Sequence, residues 1–325
     1  MKLWKKIPLK KKLLARISRT SPFVLARLLL TGLVLFPFWV LALIVSFVKT
    51  IKWKNPAQSV RFVREHQLAF PEIFPETLEI RYLTAGLSNL NMLWRVKLKT
   101  GVQAEYFVKV FLPLGSLWAT VNAWASPFPE VRGSLSHERF TVDMVSRTLL
   151  SERGIAVPKL IAFDTVERVM VTESIQGPNV DAMLKQFEGA EALNPEIRRV
   201  IRECGSGLGR IHSEGFSLID TQPVNCIWVA EREKVYFVDL EFCTRADQRL
   251  WDVGFFLAFL TVRLKGTAAH DARRTFLESY GRYRASDLKA ILNASGKLKE
   301  YIPVFQTILD LRELSPEELL NEILS

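Results

Sequence analysis

Two carboxylates and a carboxamide between residues 220 and 239 have the types and spacing needed for phosphate chemistry. Asn225 follows Asp220 by five residues, and Asp239 comes fourteen residues later. Asp239 ends the apolar run 235–238, which predicts a short buried strand with the carboxylate leaving the core. Such hard oxygen ligands suit Mg²⁺ that carries a nucleotide's phosphates. Phosphoryl transfer uses one Asp toward the accepting hydroxyl, and an Asn and a second Asp toward the metal. Two solvated turns are the alternative, because Asp and Asn are common in loops.

The order of these residues resembles the protein-kinase-like superfamily, in which an Asp-x4-Asn catalytic loop precedes a metal-binding Asp on the next hairpin. The sequence is most similar to the atypical branches: Bud32/RIO-like kinases, lipopolysaccharide core sugar kinases and aminoglycoside/choline phosphotransferases. His212, eight residues before Asp220, has the spacing typical of those branches. The chain departs from the superfamily pattern at residues 218–219, which are Leu-Ile, and at 240–241, which are Leu-Glu.

The resemblance implies an ATP-dependent reaction with Mg²⁺, in which Asp220 is catalytic and Asn225 and Asp239 hold the metal. It also implies that Lys109, in the run Phe-Val-Lys, binds the α- and β-phosphates and is fixed by Glu138. A lysine flanked by apolar residues on a strand is costly unless it is paired. An edge-strand lysine and an ordinary exposed glutamate are the alternatives for these two residues.

Two further segments resemble the superfamily's nucleotide-binding elements. The turn at 84–89, Thr-Ala-Gly-Leu-Ser-Asn, is similar to a loop whose small residues and backbone N–H groups approach the phosphates, although it has one of the usual two glycines. A simple hairpin turn is the alternative. The run 169–177 resembles the hinge strand whose backbone binds adenine. The implied nucleotide-binding residues are Gly86, Ser88, Asn89, Glu173 and Ile175.

The pattern of apolar residues predicts an α+β chain with a two-lobed protein-kinase-like fold behind an N-terminal transmembrane or re-entrant helix. The pattern predicts three strands joined by turns at residues 78–111, a helix at 137–153 and a buried core helix at 255–264. The predicted divisions are a basic amphipathic segment (1–21), a membrane anchor (22–49), a connector (50–77), an N-terminal lobe (78–172) and a C-terminal lobe (173–325).

Charge is distributed unevenly along the chain. Of its 44 Lys and Arg, 14 lie between Met1 and Arg64, where there is no Asp or Glu; the other 30 are outnumbered by 34 acidic residues. The basic excess therefore belongs to the N-terminal segment. This favours anionic membrane lipids as a partner and argues against a nucleic-acid surface on the folded domain. A disordered basic tail is the alternative for the first twenty residues.

Residues 28–48 contain no charged side chain, and as a helix they would span about 31 Å, which matches the hydrocarbon core of a bilayer. Both flanks are basic, so the positive-inside tendency does not orient a single span. A bend at Pro37 into a re-entrant hairpin is the alternative topology. A need for ATP places the C-terminal domain in the cytosol, on the cytoplasmic membrane, in either case.

These observations predict a membrane-anchored ATP-dependent phosphotransferase that acts on a hydroxyl group. An active site tethered to a membrane meets membrane-embedded acceptors at high effective concentration, which favours a lipid or a lipid-linked sugar. A protein Ser/Thr kinase is one alternative, but the ten residues between Glu241 and Asp252 leave little room for an activation segment. The other alternative is an inactive pseudokinase scaffold.

Overall fold

The computed structural model describes residues 22–67, 69–70, 73, 77–85, 89–113, 135–188 and 190–281. Within them the chain has a mixed α+β fold, with a five-stranded sheet followed by a mainly helical part. We call residues 49–173 the sheet half and residues 174–281 the helical half. Among the described residues, one large hydrophobic cluster lies within the sheet half, and a second lies mainly in the helical half and includes Leu150, Ile155 and Val157, which is consistent with a two-lobed kinase-like arrangement. The predicted basic segment and the end of the predicted C-terminal lobe lie outside the described residues.

The sheet half contains the three predicted strands and the predicted helix. Its strands are β1 (Glu79–Ala85), β2 (Asn89–Lys97), β3 (Gln103–Phe111), β4 (Leu160–Asp164) and β5 (Val169–Glu173), and its long helix is α3 (Ser136–Glu152). The strands pair antiparallel in the order β1-β2-β3-β5-β4.

Alternation along β3 divides its side chains between the two faces of the sheet. Val108 and Val110 are fully buried in the core of the sheet half. Lys109 lies on the other face, together with Phe111, whose ring packs edge-on against Phe140 of α3. The strand thus presents its lysine to α3 and the helical half.

The N-terminal helix α1 (Pro22–Lys54) is 33 residues long and runs without interruption through Pro37. Proline removes one helical hydrogen bond and often bends a helix, but here it does not end it. Residues 22–54 therefore form one continuous helix, which favours the single span over the re-entrant hairpin that the sequence left open. Among them, Phe36–Lys54 is the stretch long and apolar enough to cross a membrane, with a mean hydropathy of 1.5 and 11% of it buried.

The predicted connector contains a short helix. Helix α2 (Pro56–Glu65) begins after Asn55, whose side chain accepts a hydrogen bond from the backbone N–H of Ala57. Its buried Phe62 packs against Trp53 and Trp94 in the core of the sheet half. The end of α1 and the start of the connector are therefore part of this core.

The helical half packs around α5. Its elements are α4 (Val180–Gln186), α5 (Pro195–Ser213), β6 (Cys226–Val229), β7 (Lys234–Phe237), α6 (Arg249–Arg263) and α7 (Gly266–Tyr280). Strands β6 and β7 form the predicted hairpin, and α6 contains the predicted core helix. A Cβ on Gly209 of α5 would lie 2.4 Å from the carbonyl oxygen of Tyr280. That glycine allows the close approach of α7 to α5, which places Tyr280 beside His212.

Candidate active site

Lys109 lies at the centre of a buried ionic cluster between the two halves. Its Nζ is 2.7 Å from Oδ1 of Asp239, 3.0 Å from Oε2 of Glu241 and 3.2 Å from Oδ2 of Asp143. The lysine side chain is 5% exposed, so the ammonium charge is neutralised by protein carboxylates rather than by water. The structure thus brings together Lys109 and Asp239, which are 130 residues apart in the chain.

Asp143 is the acidic residue of α3 that pairs with Lys109. The predicted pairing of Lys109 with Glu138 is therefore wrong. The two acids are five residues apart, which places them about 140° apart around a helix. Asp143 is fully buried, whereas Glu138 is partly exposed on another face. Asp143 also accepts a 2.6 Å hydrogen bond from Arg147, one turn later. An acid within the run Val-Asp-Met-Val, four residues before an arginine, was the sequence signal that could have identified it.

Glu241 and Arg139 are members of the cluster that sequence reasoning missed as site residues. Arg139 Nη1 is 3.3 Å from the carboxylate of Glu241 and 3.2 Å from Oδ1 of Asn89, and both charged side chains are buried. Asn89 also donates a 2.9 Å hydrogen bond to Glu241. The side chain of Asn89, predicted to lie in the phosphate loop, therefore binds this cluster. The other predicted residues of that loop, Gly86 and Ser88, lie outside the described residues.

The cluster is balanced in charge among the described residues. Its basic members are Lys109, Arg139 and Arg147, and its acidic members are Asp143, Asp239 and Glu241. Burial disfavours the charged form of Lys109, but Asp239, Glu241 and Asp143 together raise the pKa of Lys109 above its usual value. Burial likewise opposes ionisation of Asp239, and Lys109 overcomes it and lowers the pKa of that carboxyl. Both groups are charged at neutral pH.

The loop between α5 and β6 carries Asp220 and Asn225. Oδ1 of Asp220 accepts a 2.8 Å hydrogen bond from Gln222, and the amide of Asn225 donates to the backbone carbonyl of Asp220 at 3.2 Å. Asp220 is only partly buried and has no cationic partner among the described residues. Its burial and the negative charge of Asp239 raise the pKa of Asp220 to about 6.

Asp252, at the start of α6, fixes the backbone that precedes Asp220. Its carboxylate accepts hydrogen bonds from the backbone N–H groups of Leu218 at 2.6 Å and Ile219 at 2.7 Å, and pairs with His212 at 2.9 Å. Ile219 has a φ of 68°, a left-handed conformation that is strained for a β-branched residue. This strained residue directly precedes Asp220, and Asp252 holds its backbone in place.

The chemistry of the predicted metal ligands fits a magnesium ion. The carboxamide nitrogen of Asn225 is engaged with the Asp220 carbonyl, which leaves its oxygen as a ligand. The backbone N–H of Val238 donates a hydrogen bond to the backbone carbonyl of Asn225 at 3.0 Å. Val238, the residue before Asp239, therefore lies directly against Asn225. A carboxamide oxygen and a carboxylate are the hard donors that Mg²⁺ prefers, with phosphate and water completing its shell.

The predicted hinge residues lie at the end of β5. Glu173 pairs with Tyr106 of β3, and its carboxylate accepts a 2.9 Å hydrogen bond from the backbone N–H of Lys159. Ile175, two residues later, is half-buried in the connection to the helical half. These residues therefore lie where the sheet half joins the helical half, and their contact with an adenine base stays a prediction.

No protein-family model matches the chain. A curated relative, the KEOPS complex subunit Bud32 from Pyrococcus abyssi (strain GE5 / Orsay), is 30% identical over 111 residues. The match covers 34% of this chain and 47% of Bud32, so it spans about half the length of that relative. This partial match supports the resemblance of the chain to the protein-kinase-like superfamily.

Proposed function

We propose that this protein is a membrane-anchored phosphotransferase that transfers the γ-phosphate of ATP to a hydroxyl group of a lipid or lipid-linked sugar. The observation that carries the proposal is the convergence of Lys109 Nζ and Asp239 Oδ1 to 2.7 Å beside the loop that presents Asp220. Lys109 precedes the two aspartates by more than one hundred residues in the sequence. A shared nucleotide site explains why a lysine and several carboxylates are buried together between the halves.

Asp220 is the residue that would orient and accept the proton of the attacking hydroxyl. A general base works best when its pKa is near the working pH, and a pKa of about 6 meets that condition. The carboxylate is ionised at neutral pH and still basic enough to take a proton as the bond to phosphorus forms. Its hydrogen bond from Gln222 occupies one oxygen and leaves the other for the acceptor.

Lys109 would bind the nucleotide's phosphates, with Asp143 and Glu241 holding its ammonium in place. Asn225 and Asp239 would hold Mg²⁺, which supplies positive charge to the phosphate oxygens when bound. Asp239 contacts Lys109 in the structure, so this carboxylate would lie next to both the ammonium and the metal. Asp143 and Glu241 also contact the ammonium, which keeps its charge neutralised and its position fixed.

The acceptor class follows from the N-terminal helix. The apolar side chains of Phe38, Leu41, Phe47 and Val48 are each more than half exposed in the structure. So many exposed apolar groups on one helix are explained by a lipid surround. Lipid-facing attachment makes membrane components the acceptors that the site meets most often.

The experiment is a transfer assay with the full chain in lipid nanodiscs, with ATP labelled at the γ-phosphate and lipids extracted from cell membranes. Label should move to a lipid fraction, and Asp220→Asn should lower the rate by at least a hundredfold. Asp271→Asn is the matched control, since this aspartate lies on α7 and pairs only with Arg198 and Arg274 among the described residues. Label on protein alone would support a protein kinase instead.

One observation favours the pseudokinase alternative. Lys109 already contacts three carboxylates among the described residues, so a nucleotide must compete with them for the ammonium. A pseudokinase would show no transfer to any acceptor and equal thermal stability with and without Mg-ATP. An enzyme would be stabilised by Mg-ATP, and the stabilisation would be lost in Lys109→Met.

A further inference from the structure

The end of α1 is attached directly to the sheet half. Lys49 donates hydrogen bonds from Nζ to the backbone carbonyl of Phe111 at 3.2 Å and to that of Glu167. One turn later Lys52 pairs with the Glu167 carboxylate at 2.6 Å. The uncharged run of the helix ends at Val48, so these contacts begin at the first residue after it.

The last turn of α1 is also part of the hydrophobic core. Trp53 is fully buried beside Phe62 and Trp94. Tyr82 of β1 donates a hydrogen bond to the carbonyl of Lys54 at 2.5 Å. The helix is therefore joined to the sheet by packing, and no flexible linker separates the two.

This attachment fixes the depth of one end of the sheet in a bilayer. The polar layer on each side of the hydrocarbon core is about 5–8 Å thick. Residues 49 to 54 rise about 8 Å along a helix, so they occupy that layer if the uncharged run fills the core. Their contacts, the end of β3 at Phe111 and the β4–β5 turn at Glu167, lie at the same depth.

The pairing of the strands shows which end of the sheet this is. Phe111 lies opposite Asn89, the last residue of the loop predicted to bind the phosphates. Its N–H donates to the carbonyl of Arg168 in the β4–β5 turn. Glu173, at the predicted adenine end, pairs with Tyr106, five residues back along β3. The phosphate end of the sheet and the end that joins α1 are therefore the same.

We propose that the phosphate-transfer end of the cleft faces the bilayer, and that the acceptor is a membrane lipid whose hydroxyl lies within the headgroup layer. This inference rests on the proposed function and narrows it. A short headgroup fits, because its hydroxyl lies at the depth of the docked end of the sheet. A hydroxyl far out on a long glycan or on a soluble protein does not reach the transferred phosphate in this orientation.

Exposed apolar side chains at the same end of the sheet half support a lipid surface as its partner. Val166, in the β4–β5 turn, is 85% exposed, and Phe163 at the end of β4 is 42% exposed. The turn that carries Val166 is the one that Lys49 and Lys52 bind. Apolar side chains that are exposed at a membrane boundary insert into the interface, where their hydrocarbon is buried.

Val102 provides a matched control for Val166. It is 60% exposed in the turn before β3, and the strand's rise places it about 30 Å from Phe111, at the opposite end of the sheet. Val166→Cys and Val102→Cys would each carry a fluorophore, since the cysteines at 204, 226 and 243 are buried. The full chain would be reconstituted in phosphatidylcholine and phosphatidylglycerol vesicles that contain a headgroup-linked quencher. We expect quenching at least threefold stronger at position 166 than at position 102, and equal quenching would overturn the inference.

A second arm tests transfer. A Gly/Ser linker of about twelve residues, with a mean span of about 20 Å, would be inserted between Val48 and Lys49, upstream of the docking contacts. Transfer of labelled γ-phosphate to extracted membrane lipids should fall about tenfold, while the affinity for a fluorescent ATP analogue stays unchanged. Undiminished lipid labelling would overturn the inference. Strong quenching at position 166 together with no transfer to any acceptor would instead overturn the proposed function and leave the orientation standing.

Discussion

The two sides of the candidate site are held by different forces. The lysine side is a buried set of alternating charges, in which Lys109, Arg139 and Arg147 share three carboxylates over distances of 2.6 to 3.3 Å. The aspartate side is held by backbone geometry. There Asp252 binds two N–H groups, and Asp220 itself stays half-open to solvent with a raised pKa.

This difference separates residues that maintain the site from the residue that would react in it. A buried charge pair is weak evidence for net stability, but removal of one partner is costly because the other charge is left without compensation. A half-buried carboxylate with a raised pKa is the opposite case, since its charge is disfavoured by its surroundings. Mutations on the two sides should therefore change stability in opposite directions.

The largest effect should follow removal of the lysine charge. Lys109→Met leaves Asp239, Glu241 and Asp143 facing one another with two arginines to balance three acids. We expect the free energy of unfolding to fall by about 3–5 kcal/mol, and ATP-dependent transfer to fall below detection. Urea unfolding of the full chain in detergent, followed by tryptophan fluorescence, measures the first effect.

Lys185→Met is the matched control for Lys109→Met. Lys185 pairs with Asp181 at 2.6 Å, but its side chain is 51% exposed. Loss of an exposed ion pair changes stability by about 1 kcal/mol or less. Similar losses for the two methionine variants would contradict the view that the Lys109 cluster is a buried, compensated set.

A smaller effect should identify the acids that hold the lysine. Asp143→Asn and Glu241→Gln each keep the side chain's size and remove a charge in contact with Lys109. We expect each to lower the free energy of unfolding by about 2 kcal/mol and to raise the KM for ATP about tenfold. Glu138→Gln is the control, because that glutamate is partly exposed and should change either quantity little. A KM raised by Glu138→Gln alone would restore the partner that the sequence suggested.

The outcome for these acids shows what sequence reasoning could reach. The strands, the position of Lys109 on β3 and the approach of Asp239 followed from apolar patterns and from the order of motifs in the resemblance. The partner on α3 did not, because the spacing that carries a family motif does not fix which helix face turns toward the sheet. Asp143 reaches the lysine because Phe140 packs on Phe111 and sets the rotation of α3.

The sequence could not predict the interaction of Glu241 with Arg139 and Asn89, for a different reason. The three residues are separated by 50 to 152 positions, and in the sequence Glu241 and Arg139 each look like a solvated charged residue. Only the close packing of the two halves makes them neighbours and buries them. The attachment of α1 to the sheet is a similar case, since Lys49 and Trp53 read as the flank of a membrane helix until their contacts are known.

We expect the smallest change in stability, and the one change that is a gain, from a substitution of Asp220. The pKa of Asp220 is about 6 in the folded protein against an ordinary value of 3.8. Between those two pH values the folded state binds more protons than the unfolded state, so stability falls as the pH rises from about 4 to 6 and stays lower above that range.

Asp220→Asn removes the charge and keeps an oxygen for the hydrogen bond from Gln222. Since Asp220 is partly exposed, we expect a gain of about 1 kcal/mol at pH 7.5, with no gain at pH 4 and with loss of transfer activity. Thermal unfolding of the wild-type chain and the variant at both pH values measures this. An asparagine variant that is less stable at pH 7.5 would mean that the loop needs the negative charge, and the contrast between the two sides of the site would fail.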